Sequence, residues 1–227
     1  MGLPVIIYGK SGSGKSRSMK NFGEEEVMLI NVEKKALPFR NKFKYVLTQI
    51  DVTKKDIEER HLYSRIDKII WAINSAPCNA AVVDDAGYLM TQHFMNNHKQ
   101  KQGNKSFEMY DEIADQMYQL IEKIKSDTPD DKIVYIMLHE DTDDFGSTKL
   151  RTIGKLLDNK VCLEGMVTIC LRCMSSNGKH FFLTQTKGSD ITKTPEDMFT
   201  EEEIENDLQA VDQVIRNYYG MGGEQNG

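Results

Sequence analysis

Gly9-Lys10-Ser11-Gly12-Ser13-Gly14-Lys15-Ser16 stands directly after the apolar run Leu3 to Tyr8 (LPVIIY) and matches G-x-x-x-x-G-K-[ST] at every position. Its glycines let successive backbone N–H groups curl around an anion. A strand entering the loop and a helix leaving it is the context that this chemistry requires. Leu3 to Tyr8 reads as that strand, and Lys15 to Phe22 is expected to open the helix. Gly9 to Ser16 is therefore expected to bind ATP, with Lys15 on the β- and γ-phosphates and the Ser16 hydroxyl on Mg²⁺.

Further along, Ala80 to Asp84 (AAVVD) is a short apolar run ending in acids. An acid there can sit beside the phosphate loop and hold Mg²⁺ directly or through water, and Asp84 is the candidate for that role. Attack of water on a γ-phosphate also needs a group to orient or deprotonate the water. Asp85 is one candidate. Glu33, which ends the run Val27 to Val32 (VMLINV), is the other, and the sequence leaves both open. His139 and Glu140 follow a third apolar run, Lys132 to Leu138 (KIVYIML), where His139 is placed to sense the γ-phosphate.

Between these runs the apolar spacing changes to a helical period. Helices are expected over Asp56 to Ser75, Tyr88 to Asn97 and Phe107 to Lys125, with a short one over Thr152 to Asp158. Tyr45 to Ile50 reads as a weaker strand. Val161 to Arg172 and Lys179 to Thr186 read as a hairpin closed by Ser175 to Gly178. Thr200 to Tyr219 reads as a final acidic helix, with Thr200 as N-cap and Glu203 in a capping box. Short strands alternating with helices indicate an α/β protein with a mainly parallel sheet, helices on both faces, and a late antiparallel hairpin. One domain is expected over residues 1–220, followed by a disordered tail at 221–227.

The 227 residues suffice for a core without disulfides or a structural metal. A net charge of −6 argues against a wholly basic nucleic-acid binder. No apolar run approaches a membrane span and no secretory signal is legible, so a cytoplasmic protein is expected. Cys170 and Cys173 form a C-x-x-C without a second ligand pair, which favours reduced core thiols over a metal site.

The order of phosphate loop, strand ending in Glu33, strand ending in Asp84-Asp85 and strand ending in His139 resembles the RecA-like core. It is similar in particular to small phage-encoded AAA/RecA-type ATP-binding proteins, including those associated with single-strand annealing recombination. The resemblance covers most of residues 1–220. It implies an ATPase in which Asp84 is the magnesium acid, His139 the γ-phosphate sensor and Glu33 the residue that orients water. It also implies DNA-contacting loops at Asn96 to Ser106 and Asp141 to Gly154. A homo-oligomer, ring or short filament, is implied as well, its site completed by a cation from an adjacent subunit; Arg172 and Lys187 are the candidates.

Asn97 to Lys105 carries Lys99, Lys101, Lys105 and a histidine without an acid, which suits the phosphates of single-stranded DNA. Phe94 and Phe107 flank it. Phe145, Lys149, Arg151 and Lys155 make a second mixed loop, preceded by Asp141, Asp143 and Asp144. The resulting expectation is an ATPase acting on single-stranded DNA in recombination or annealing. The alternative is a nucleotide-dependent switch or partner-binding ATPase (loader, packaging or anti-defence) that does not touch DNA.

Overall fold

Apolar residues one apart along Leu3 to Gly9 go to opposite sides of a sheet. Val5 and Ile7 enter one buried cluster, while Ile6 and Tyr8 enter the other. Both faces of this strand are therefore covered, the condition under which a parallel strand reads as a continuous apolar run. The structure is a computed structural model and describes residues 1–40, 42–101, 103, 105–154 and 160–221.

The strands are β1 (Leu3–Gly9), β2 (Val27–Asn31), β3 (Tyr45–Leu47), β4 (Ala80–Asp84), β5 (Ile133–Thr142), β6 (Thr148–Leu150), β7 (Ile169–Ser176), β8 (Lys179–Leu183) and β9 (Glu203–Glu205). The helices are α1 (Lys54–Arg60), α2 (Arg65–Ser75), α3 (Tyr88–Asn97), α4 (Lys105–Asp127) and α5 (Leu208–Tyr219). One sheet runs in the order β3-β2-β4-β5-β1-β7-β8-β9, with β6 pairing antiparallel to the far end of β5. The pairings from β3 to β7 are parallel, and those of β7 with β8 and β8 with β9 are antiparallel. Helices α2, α3 and α4 cover one face, through residues such as Ile69, Leu89, Ile113 and Met117. The other face is covered by Met19 and Phe22 and by Leu208, Val211 and Ile215 of α5. This is the α/β arrangement expected, with helical cover on both faces and the antiparallel hairpin at one side.

Local capping redrew several boundaries. The apolar period from Asp56 to Ser75 is two helices, because His61 adopts a left-handed backbone (φ 55°) and Ser64 starts α2 with a capping box to Asp67. The final helix starts at Leu208, capped by Asp207, and neither Thr200 nor Glu203 begins it. Glu203 to Glu205 are instead held extended by pairing with Leu183 to Phe181 of β8. The late hairpin turns at Asn177-Gly178 alone, both with positive φ (50° and 76°), the pair that a two-residue turn favours. Its first strand starts at Ile169, and Glu164–Met166 before it is a 3₁₀ turn.

Beyond the phosphate loop, Ser16–Asn21 is a 3₁₀ helix of six residues where a longer α-helix was expected. The Ser18 hydroxyl and N–H both bond the Lys15 carbonyl three residues back, which tightens the turn. The helix that leaves the loop is therefore short and tightly wound. Strand β5 continues past His139 to Thr142 and folds back as β6, so residues 141–154 begin as a β-hairpin. Thr152 to Gly154 are not helical, and the rest of the short helix expected there lies outside the described residues, as does Lys155. The expected tail falls mostly outside them too, but Met221 packs on the core and its N–H bonds the Arg216 carbonyl.

Candidate functional site

Register brings the site together. In the parallel pairing of β1 with β5, Gly9 lies opposite His139, and in that of β2 with β4, Asn31 lies opposite Asp84. The strand ends thus converge on one side of the sheet, the place where parallel α/β sheets bind ligands.

The phosphate loop leaves β1 with Gly12 (φ 78°) and Gly14 (φ 107°) in backbone conformations that other residues adopt only with strain. It is wedged against the antiparallel strands. A Cβ on Gly9 would lie 2.3 Å from the Cys173 carbonyl oxygen, and one on Gly14 would lie 2.7 Å from Nδ1 of His180. His180 Nδ1 is itself 2.7 Å from the Ser13 carbonyl oxygen, and the Cys173 thiol donates to that oxygen at 3.3 Å. Asn206 links the same thiol to Arg17. This support was not legible in the sequence, since His180 belongs to no motif and the C-x-x-C of Cys173 points to a thiol pair and not to the loop.

Lys15 is buried, and its ammonium donates to the Gly9 and Lys10 carbonyls at 2.9 and 3.0 Å. Burial lowers its pKa from the ordinary lysine value. The ammonium also lies 3.4 Å from Nδ1 of His139, whose Nε2 is 3.3 Å from the Asp85 carboxylate. A neutral His139 protonated on Nε2 satisfies both contacts, accepting from Lys15 and donating to Asp85.

The Ser16 hydroxyl donates to both carboxylate oxygens of Asp84 at 3.0 Å. Hydroxyl and carboxylate form an all-oxygen donor set of the kind that suits Mg²⁺. Burial, then the neighbouring charge of Asp85, pushes the Asp84 carboxyl up to about 6. Asp85 moves the other way. Burial would raise it, but hydrogen bonds with His139 and Lys35 outweigh that and hold it at about 2. The two adjacent acids are thereby pushed in opposite directions, Asp84 up by burial and Asp85 down by its hydrogen bonds with His139 and Lys35.

A cleft of ≈ 350 Å³ is lined by Gly12, Gly14, Lys15, Ser16, Asp85 and His139, together with Lys35 and His180. Glu33 is not among its lining residues. It lies in the turn beyond β2, where Gln92 of α3 donates to its carboxylate at 2.7 Å. Lys35, which the sequence reading passed over, donates to Asp85 at 2.6 Å.

The remaining candidates are spread more widely. Arg172 makes a two-pronged pair with Glu140, at 2.9 and 3.0 Å, and lies 3.8 Å from Asp190. Lys187 is exposed and pairs with Glu203 at 3.2 Å. Lys101 pairs with Glu112, which also bonds His93 at 3.0 Å, so the lysine run has an acidic partner from α4. Lys99 and Lys105 are exposed. Phe94 is partly buried and stacks on His98 at 5.2 Å, whereas Phe107 is 54% exposed. On the β5–β6 hairpin, Lys149 lies opposite Asp141, Arg151 is exposed, and Phe145 at the tip is 95% exposed. Cys170 and Cys173 project into the clusters on opposite faces of the sheet, so their side chains do not form one ligand pair.

The family model described as an AAA domain matches residues 1–196. The chain belongs to the AAA domain family. The loop after β1 and the strand order give this AAA domain an α/β core with a phosphate-loop motif at the end of its central parallel strand. Among solved structures, it is similar to a KaiC-like protein from the hyperthermophilic archaeon Pyrococcus horikoshii OT3, with 10% identity and a TM-score of 0.46. That match covers 82% of this chain and 81% of the other. No curated protein sequence matches significantly. Among the described residues, no helix is long and apolar enough to cross a membrane.

Proposed function

We propose that this AAA domain, a single unit over residues 1–220, binds and hydrolyses ATP with Mg²⁺ in the cytoplasm and acts on single-stranded DNA in phage-type recombination or annealing. The observation that carries the reading is the convergence of Lys15, Ser16 and His139 on one cleft, with Asp84 bonded to the Ser16 hydroxyl behind it. In it, the loop N–H groups and Lys15 hold the phosphates, and Ser16 and Asp84 hold the cation. Asp85 lines the cleft and is fixed as an anion, which fits it to orient the attacking water. Glu33 is held by Gln92 and would have to leave it to take that role. Catalysis of this kind is mostly positioning and charge stabilisation.

Strand β5 links the cleft to the proposed DNA surface. His139 touches Lys15, and the Arg151 N–H bonds the His139 carbonyl at 2.8 Å, so the sensor and the base of the hairpin share one backbone. Phe145 at the tip supplies an aromatic face for base stacking, with Lys149 and Arg151 for phosphates. Lys99 and Lys105 extend the basic surface, and a homo-oligomeric ring or short filament would align it along a strand. Fluorescence anisotropy of labelled single-stranded DNA at low salt tests this. Binding that weakens when Phe145, Lys149 and Arg151 become Ala is the expected result; no binding with or without ATP removes DNA from the proposal.

The partner-binding alternative is favoured by one observation, the acids interleaved with these bases. Asp141 opposes Lys149, and Glu112 holds Lys101. A nucleotide-dependent protein complex that survives the loss of Lys99, Lys101 and Lys105 would support that switch reading.

A further inference from the structure

The turn after β2 is built around one lysine. The Asn31 side chain accepts from the Lys35 N–H at 3.2 Å and donates to the Lys35 carbonyl at 2.8 Å, so both backbone groups of Lys35 are clamped by one residue. Lys34 between them takes a left-handed backbone (φ 57°), which turns the chain back towards the cleft. Asn31 is fixed in turn by its register opposite Asp84. The clamp is therefore referenced to the magnesium acid, two strands from the phosphate loop.

From this clamp the Lys35 ammonium reaches Asp85 and lies 4.8 Å from the centre of the Tyr88 ring, whose edge packs on His139. Lys35 shares the cleft with Gly12, Gly14, Lys15 and Ser16. Its side chain remains 53% exposed, so it can move without unpacking the core. Of the other cations at this end of the sheet, Arg172 is committed to Glu140, Arg17 donates to Asn206, and Lys15 is held by the Gly9 and Lys10 carbonyls.

We infer that Lys35 is a cation supplied in cis to the terminal phosphate of ATP, moving from Asp85 to a γ-phosphate oxygen when nucleotide binds. This rests on the ATP-binding reading above. Three features support the move. The terminal phosphate carries more negative charge than the single carboxylate that Lys35 leaves. Asp85 keeps the hydrogen bond from His139, so its carboxylate is not left without a donor when Lys35 moves. The Asn31 clamp holds the backbone still while the flexible stem turns. Lys35 contributes charge only, and no proton passes to or from it. The surface does not need a neighbouring subunit for this cation.

Equilibrium affinities for Mg-ATP and Mg-ADP, measured by calorimetry beside phosphate release, test the inference in wild type, Lys35→Ala, Lys35→Arg and Asn31→Ala. Because only ATP carries the third phosphate, Lys35→Ala is expected to weaken ATP binding roughly 10-fold while leaving ADP within about 2-fold. Turnover should fall about 100-fold, the scale of losing one charge-stabilising group. Lys35→Arg should recover most of both, and Asn31→Ala should fall between. Equal loss of ATP and ADP affinity would mean that Lys35 only shapes the loop and Asp85, and would overturn the inference. So would unchanged ATP affinity and turnover in Lys35→Ala. If wild type binds both nucleotides but releases no phosphate, the hydrolysis reading fails, and the comparison of ATP with ADP still judges Lys35.

Discussion

Ser16 and Asp84, 68 positions apart in the chain, meet with the serine hydroxyl 3.0 Å from each carboxylate oxygen. This pair joins the last residue of the loop that follows β1 to the end of β4, a strand separated from β1 by β5 in the sheet. A magnesium ion entering here would take over the contact that the hydroxyl now makes.

The protonation state of Asp84 gives the pair a pH dependence. Burial raises its carboxyl to about 6, so at pH 8 it is ionised and ready for a cation. As pH falls through 6 the proton competes, and apparent Mg²⁺ affinity should drop about tenfold per unit below that point. Asp84→Asn should abolish this dependence along with most Mg²⁺ binding. A Mg²⁺ titration of the nucleotide complex at pH 5 and pH 8 measures it, and equal affinities at both would contradict the assignment.

Asp85 and Glu33 are the two candidates to orient the attacking water. Asp85→Asn is expected to slow phosphate release by about 100-fold while keeping ATP bound, as loss of a water-positioning group does. Glu33→Gln, with its partner Gln92 outside the cleft lining, is expected to stay within about 3-fold of wild type. The reverse pattern in single-turnover assays would hand the role to Glu33.

Gly9 should lose more stability than Gly12 when each is replaced by Ala. At Gly9 the new methyl meets the backbone oxygen of Cys173 at 2.3 Å, and the two strands must part. That is expected to destabilise by roughly 1–3 kcal/mol. At Gly12 nothing lies within 4 Å, so only the strain of φ 78° remains, about 1 kcal/mol. Thermal melts of the two variants make the comparison; equal or inverted losses would show that the loop does not pack as described.

Arg172→Ala separates a structural from a trans-acting role. Glu140, with only 5% of its side chain exposed, would be left as an unpaired buried charge, a loss of about 3 kcal/mol. A large fall in melting temperature is therefore expected. A variant with unchanged stability but lost turnover would instead favour Arg172 acting on a neighbour's nucleotide.

The strands were legible because both faces of a parallel sheet are buried, so Leu3 to Gly9 and Ala80 to Asp84 appear as uninterrupted apolar runs. Helix ends were less so. The period from Asp56 to Ser75 hid the break at His61, since Ile57 and Leu62 keep the spacing while the backbone turns left-handed between them. Glu203 looked like a capping residue, but Glu203 to Glu205 are claimed by pairing with β8, a partner some twenty residues earlier that no local pattern announces.

Within the candidate site, the sequence alone singled out the loop from Gly9 to Ser16 and the acid at the end of β4, because that motif is written in fixed spacing and residue type. Tertiary structure alone decided which other groups share the cleft. Register set Gly9 against His139 and Asn31 against Asp84, and those pairings are properties of distant strands. Packing of the antiparallel hairpin brought His180 onto the loop, and a side-chain clamp aimed Lys35 at Asp85. None of these has a local signature, since each depends on where the chain returns.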